Sequence, residues 1–387
     1  MWLRTKKPWS DGPREHIRGS QGCRVRILTV VGARPQFIKA ATVSRVLRDM
    51  PDVQELLVHT GQHHDANMSD VFFQTMDIPR PAHHLGISGG GHGQMTGRML
   101  EGLERVVLAE KPDWMLVYGD TNSTLAAALA ASKLHLPIAH VEAGLRSYKL
   151  GMPEEINRIL TDRVSALLFC PTTEAVQNLE KEGYGTLGSR IECVGDVMLD
   201  AALFYRDRAH PPAGLPKHLQ GKPFALATFH RAENTDDPAR LRDIVASLNR
   251  LHCDLPIVLP LHPRTRERLR GESLELRVHC IEPAGYLEMV WLLDQCRLVL
   301  TDSGGLQKEA WFFRKPCVTL RRETEWVELL RAEGNRLTRP DPASVRAAID
   351  AALASAPDYG LELYGKGDAA ARISAVLLEG PPRSFYG

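Results

Sequence analysis

Gly119-Asp120-Thr121-Asn122-Ser123-Thr124 is followed by an alanine-rich run, then by His140-Val141-Glu142-Ala143-Gly144-Leu145-Arg146-Ser147 and Gly151-Met152-Pro153-Glu154-Glu155-Ile156-Asn157-Arg158. These forty residues decide the fold. Two apolar runs, 114–118 and 136–139, read as short buried strands. Each ends in a polar cluster holding one carboxylate, Asp120 or Glu142, and a third acidic cluster opens a helix after Pro153. In a parallel α/β sheet the ligand lies outside the carboxyl ends of the strands. Asp120 and Glu142 therefore point into one crevice, with Glu154 close by. Spacing alone also admits plainer roles. Asp120 suits the N-cap of a helix over 121–134, and Glu154 and Glu155 behind Pro153 suit a helix start. Glu142, before Ala143-Gly144, caps nothing obvious.

Working outward, 387 residues predict two domains. A hydrophobic content of 43% and a charged content of 25% are those of a globular protein. The net charge of +1 provides no broad field for nucleic acid or an anionic membrane, so any anion site is local. No apolar run reaches the roughly 18 residues of a membrane span. Residues 1–24 carry Arg4, Lys6, Lys7, Arg14, Arg18 and Arg24 against Asp11 and Glu15, without an apolar core, and are expected to be a basic disordered extension rather than a secretory signal. Seven scattered cysteines without CxxC spacing predict a reducing, cytoplasmic setting and no zinc cluster.

The β-branched run 25–31 reads as the first strand. Gly32-Ala33-Arg34-Pro35 then turns into a helix over 36–49, a geometry that can receive an anion, with Arg34 and Lys39 adding charge. It can equally be a plain turn. Further strands are expected at 56–59, 166–170 and 190–194, alternating with helical segments, which is the pattern of a doubly wound parallel sheet. Residues 209–222, rich in proline and glycine, mark the interdomain boundary. A second series follows, with strands at 224–229, 257–261, 297–301 and 316–320 and late helices at 343–354 and 366–378. In Thr301-Asp302-Ser303-Gly304-Gly305, unencumbered N–H groups at a helix start offer a seat for a diphosphate, and Glu309 stands within reach of ribose hydroxyls. An ordinary Ser or Asp cap is the alternative. His230, at a strand end beside Arg231 and Glu233, is a candidate acid/base or phosphate contact. Two α/β domains, one bearing an acidic cluster and one an anion site, would meet across a cleft.

Five motifs in this order resemble those of the non-hydrolysing UDP-N-acetylglucosamine 2-epimerases: Gly32-Ala33-Arg34-Pro35, Gly119-Asp120-Thr121, His140 through Arg146, Pro153 through Arg158, and Thr301 through Gly305. The resemblance runs from about Val25 to Leu378. It implies two Rossmann-like domains of GT-B type with the active site in the cleft: residues 25–208 joined by a C-terminal helix at 366–379, and residues 209–365. It implies removal of the C2 proton, departure of UDP from C1 to leave a glucal, and re-addition with C2 inverted. By resemblance Asp120, Glu142, Glu154 and His230 fall on catalytic positions. Arg34, Lys39, Arg158, His262, Pro283, Tyr286, Ser303, Gly304, Gly305 and Glu309 fall on UDP or substrate contacts. A UDP-sugar substrate and a homodimer are implied; no metal or other cofactor is.

Two segments depart from the UDP-N-acetylglucosamine pattern: Thr324-Glu325-Trp326-Val327-Glu328 and Gln307-Lys308-Glu309-Ala310. The first of these, with 32–39, looks more like the branch acting on UDP-2,3-diacetamido-2,3-dideoxy-glucuronic acid for lipopolysaccharide O-antigen. Its C6 carboxylate needs a cationic partner, for which Arg146, Arg321 and Arg322 are candidates. Gln62-His63-His64-Asp65 departs from the segment that binds an activating substrate in some members, so weak or no activation is expected. The competing readings are UDP-N-acetylglucosamine as substrate, a GT-B glycosyltransferase, a hydrolysing epimerase and a non-catalytic UDP-sugar sensor.

Overall fold

The computed structural model describes residues 24–62, 73, 75–382 and 385. The basic segment 1–23 and the His63-His64-Asp65 part of the activator segment lie outside the described residues.

Two all-parallel sheets organise the chain. The first has strands β1 (Val25–Val31), β2 (Val53–His59), β3 (His83–His84), β4 (Trp114–Tyr118), β5 (Ile138–Val141), β6 (Leu167–Cys170) and β7 (Arg190–Cys193), in the order 3-2-1-4-5-6-7. The second has β8 (Ala225–Thr228), β9 (Ile257–Pro260), β10 (His279–Ile281), β11 (Leu298–Thr301), β12 (Cys317–Thr319) and β13 (Asn335–Leu337), in the order 10-9-8-11-12-13. Each order reverses once, between β1 and β4 and between β8 and β11. Those are the switch points at which doubly wound sheets bind ligands.

The helices that matter for the site follow in chain order: α1 (Arg34–Arg48), α2 (His92–Glu110), α3 (Asn122–Lys133), α4 (Pro153–Val164), α5 (Thr173–Lys181) and α6 (Val197–Arg206) around the first sheet. Around the second are α7 (Ala232–Thr235), α8 (Pro238–His252), α9 (Pro263–Gly271), α10 (Tyr286–Gln295), α11 (Gly304–Phe312), α12 (Val327–Arg331) and α13 (Pro342–Ala354). The last helix, α14 (Ala369–Leu378), returns to the first sheet, where Ile373 and Leu377 join its core and Trp114 Nε1 donates to the Leu377 carbonyl at 3.1 Å. The second half also contributes Tyr286 and Val290 of α10 to that core, packed beside Tyr205 of α6.

β5 departs from the expected strand at 136–139. Pro137 precedes it, and it runs on through His140 and Val141. A histidine read as the polar end of a run is here fully buried, because Nε2 meets the Gly119 carbonyl at 2.7 Å and Nδ1 meets Asp162 Oδ1 at 2.6 Å. β3, β10 and β13 were not anticipated; at two or three residues each they are too short for a period to show. Among the described cysteines Cys170, Cys296 and Cys317 are buried, whereas Cys193, Cys253 and Cys280 are exposed, and all six are free.

Candidate active site

Asp120 follows β4 and does not cap α3. Thr121 does so, its side chain accepting from the Thr124 N–H at 3.3 Å. The Asp120 backbone is anchored separately, its carbonyl accepting from Asn157 Nδ2 at 2.8 Å. Its carboxylate is thus left for the crevice, where a third of its surface is open. Desolvation raises its pKa, Arg158 (3.4 Å) and Lys39 oppose that, and Glu142 and Glu154 add to it. The three acids therefore act on one another in one place.

Glu142 follows β5 with φ of +74°, a left-handed conformation that costs a non-glycine residue of order 1 kcal/mol or more. Such strain persists where the surroundings impose it. Its Oε2 is bonded to Lys39 of α1 and its Oε1 to Lys308 of α11 at 3.2 Å. Burial works to raise its pKa, but the two ammonium groups prevail and bring it down to about 2. Gly119 (φ +62°) lies directly beneath: a Cβ there would press on Lys39 Nζ at 3.2 Å and Glu142 Oε2 at 3.4 Å.

Glu154 is exposed in the first turn of α4, at the crevice. Its neighbour Glu155 has a different task. Fully buried, it accepts from the Ser147 and Tyr148 N–H groups and pairs with Arg158 at 3.0 Å, tying the loop before α4 to the helix. Arg158 reaches both Glu155 and Asp120.

At the first helix Gln36 Oε1 accepts from the Gly32 and Ala33 N–H groups at 2.9 and 3.0 Å, which engages two of that turn's donors; Arg34 is half-buried beside it. The second sheet differs. Ser303 caps α11, and the N–H groups of Gly304 and Gly305 lie in its first turn, beyond reach of any intrahelical carbonyl. The Glu325 carboxylate, paired with Arg321 at 3.0 Å, stands against Gly304 where a Cβ would project, with Arg231 alongside. Glu325 is held there by Arg321, beside the helix start. Asp302 is fully buried and gathers the N–H groups of His230 (3.0 Å) and Arg231 (3.0 Å) and Asn234 Nδ2 (2.9 Å), which holds His230 at the mouth of the seat with half its side chain exposed.

The outlying contacts are more dispersed. His262 is exposed and caps α9, and Pro283 is exposed in the loop after β10. Tyr286 is buried, its hydroxyl without a hydrogen-bond partner and in electrostatic contact with Glu309. Of the three arginines considered for a sugar carboxylate, Arg146 is unavailable: its guanidinium is enclosed and shared between Asp162 (2.7 Å) and Glu182 (2.7 Å). Arg321 is engaged with Glu325, and Arg322 is exposed beside it. Gln62 accepts from the Ser123 N–H and hydroxyl at 3.0 and 2.7 Å, a role in securing α3. Among the described residues no cluster of three or more potential metal ligands forms, and no helix is long and apolar enough to cross a membrane.

The profile of the family described as UDP-N-acetylglucosamine 2-epimerase matches residues 45–378. The chain belongs to that family. A UDP-2,3-diacetamido-2,3-dideoxy-D-glucuronate 2-epimerase of Pseudomonas aeruginosa is 55% identical over 354 residues, covering 91% of this chain and 99% of that one. The solved UDP-GlcNAc 2-epimerase of Methanocaldococcus jannaschii in complex with UDP-GlcNAc and UDP superposes with a TM-score of 0.81 at 38% identity, over 92% of this chain and all of that one. That of Neisseria meningitidis bound to UDP-GlcNAc has a TM-score of 0.80 at 29% identity, with coverage of 92% and 100%. The two sheets described above are thus the GT-B-like arrangement of the 2-epimerases.

Asp196 and Asp162 stand outside every motif, and Lys308 stands out only as a departure; Asp302, His140 and Arg146 lie within motifs that do not show their buried partners. That Asp196 follows the carboxyl end of a strand is the one signal pointing to it. Glu309 has a measurable signature. Burial pushes its carboxyl up to about 7, with Lys308 opposing and Asp196 adding. Its folded pKa exceeds the unfolded one of about 4.3, so its contribution to stability is complete below that value and lost as pH rises through 7. Glu309→Gln is therefore expected to gain a few degrees of melting temperature relative to the parent between pH 5 and pH 8. A difference that does not change with pH would contradict this assignment.

Proposed function

We propose that this chain inverts C2 of a UDP-2-acetamido sugar, and that the sugar is 2,3-diacetamido-2,3-dideoxy-D-glucuronic acid. One observation carries the reaction: acids at the carboxyl ends of the first sheet's strands and a glycine helix start on the second sheet are linked through Lys308. One relative, 55% identical, supports the choice of sugar.

In this reading UDP lies with its diphosphate at Ser303, Gly304 and Gly305, its ribose toward Glu309, and Arg34, Lys39, His262, Pro283 and Tyr286 around the nucleotide and sugar. A base takes the C2 proton, the C1–O bond breaks with its electron pair going to UDP, and the 2-acetamidoglucal stays bound. UDP then attacks C1 while an acid returns a proton to C2 from the opposite face. That needs two groups biased to opposite protonation states. Glu142 is held ionised by Lys39 and Lys308, whereas desolvation raises the Asp120 pKa above its ordinary value. Glu154 and Arg158 complete the crevice, and His230 faces the departing diphosphate. Arg322 is the arginine left to meet a C6 carboxylate. The domains divide at 25–208 with 366–379, and 209–365. The chain works as a homodimer in the cytoplasm, binds neither nucleic acid nor membrane, and feeds surface-polysaccharide assembly.

Proton NMR in D₂O tests the reading. Deuterium entering C2 together with a manno product is expected with the 2,3-diacetamido uronate. Exchange with UDP-N-acetylglucosamine instead would reassign the sugar. UDP binding without exchange of either would favour a glycosyltransferase or a sensor, and free sugar among the products would indicate hydrolysis.

A further inference from the structure

Lys308 is 3% exposed on α11. Its ammonium is bonded to Asp196 Oδ2, lies 3.2 Å from Glu142 Oε1 and stands 4.3 Å from the centre of the Trp326 ring. Lys308 and Trp326 belong to the second sheet's half; Glu142 and Asp196 follow β5 and β7 of the first. Lys39 takes the other Glu142 oxygen, and the other Asp196 oxygen caps α6 through the Met198 N–H at 2.8 Å. Two ammonium groups and two carboxylates thus balance in a buried cluster that spans both halves. Removing one member of such a cluster leaves an uncompensated buried charge, so the contact is sensitive to where α11 sits. Both segments in which the sequence departs from the UDP-N-acetylglucosamine pattern, around Lys308 and around Trp326, meet at this point.

α11 is a single helix of nine residues. Its first turn holds the anion seat, and Lys308 comes one turn later. A rigid helix cannot move at one end alone. An anion bound at Ser303-Gly304-Gly305 therefore constrains the position from which Lys308 reaches Glu142.

We propose that Lys308 is a positioning residue that couples occupation of the anion seat on α11 to the placement of Glu142. With a diphosphate in the seat, α11 is held against the first half and Lys308 fixes the Glu142 carboxylate toward the sugar. When the diphosphate leaves, the tie loosens. The assignment of Glu142 to chemistry rests on the epimerase reading above; the coupling itself needs only UDP.

Hydrogen exchange with and without UDP reads the coupling directly. In the parent, UDP is expected to slow exchange about tenfold in two places, the first turn of α11 and residues 142–147. In Lys308→Met the α11 protection remains and that at 142–147 is lost. The variant's turnover should fall about 100-fold, with the KM for the UDP-sugar within about threefold, as for a displaced catalytic group. Asp196→Asn, which keeps the α6 cap, is added to Lys308→Met to relieve the uncompensated carboxylate. The double variant is expected to regain melting temperature without regaining turnover. Turnover that recovers along with stability would reduce Lys308 to a structural cation and overturn the proposal. So would UDP-induced protection at 142–147 that survives in Lys308→Met. If the parent shows both protections yet exchanges no C2 proton, the epimerase reading fails and the coupling stands.

Discussion

Asp120→Asn is expected to lower C2 exchange about 1,000-fold, within the range for loss of a general acid or base, while UDP binding stays within about threefold. The separation of the two effects follows from the architecture. Asp120 sits on the first sheet, and the helix start proposed to hold the diphosphate sits on the second. The substitution should also spare the fold. Thr121 caps α3, and the Asp120 carbonyl keeps its bond from Asn157. Stability carries a sign that helps. Desolvation raises the Asp120 pKa, so its ionised form weighs against folding. Asparagine, which resembles the protonated acid, should leave the melting temperature at pH 8 unchanged or higher. A variant that is stable, binds UDP and does not exchange C2 is the signature of a catalytic group. Glu142→Gln and Glu154→Gln are expected to behave alike in turnover, although Glu142→Gln also leaves Lys39 and Lys308 without their shared carboxylate. Full activity in any two of the three variants would sink the carboxylate assignment.

Asp162→Asn is expected to act mainly on stability, by roughly 3–5 kcal/mol, and to take activity with it. Asp162 on α4 is fully buried. One oxygen meets His140 Nδ1 at 2.6 Å; the other accepts from Arg146 at 2.7 Å and from the Gly144 N–H at 3.1 Å. His140 in turn holds the carbonyl of Gly119, the residue before Asp120, and Gly144 lies two residues beyond Glu142. A single carboxylate thus braces both strand ends that present the catalytic candidates. Burial works to raise its pKa, but the charges and hydrogen bonds of His140 and Arg146 outweigh burial and lower it. The sign is therefore that of a depressed acid: its stabilisation is present above the unfolded value of about 3.9 and is lost as pH falls through the folded one. At pH 7 the whole effect should be felt, as a drop of roughly 10 °C in melting temperature for a unit of this size. A calorimetric midpoint within about 2 °C of the parent would show that the network is dispensable.

Much of the architecture was legible because it is local. The run 25–31 and the run 114–118 were read with the bounds they have, since a fully buried parallel strand is a continuous apolar stretch closed by a turn. The glycine–serine start of α11 and the proline start of α4 follow from the backbone preferences of those residues. His140 misled because a side chain's polarity says nothing about whether buried partners await it. At the Gly32 turn, too, the partner is hidden from the local pattern: Gln36, three to four residues on, takes the Gly32 and Ala33 N–H groups.

By itself, then, the sequence determined the alternation of strand and helix, and with it that Asp120, Glu142, His230 and Ser303 would all lie at carboxyl ends of parallel strands. Tertiary structure alone decided which of these groups is spoken for. It assigned the α3 cap to Thr121, closed Arg146 between two acids, and brought Lys308 across 166 residues to Glu142. Propensity and periodicity are properties of neighbouring residues, whereas charge pairing and desolvation depend on what the completed fold packs around a group. That is why the elements could be read along the chain and the electrostatics of the cleft could not.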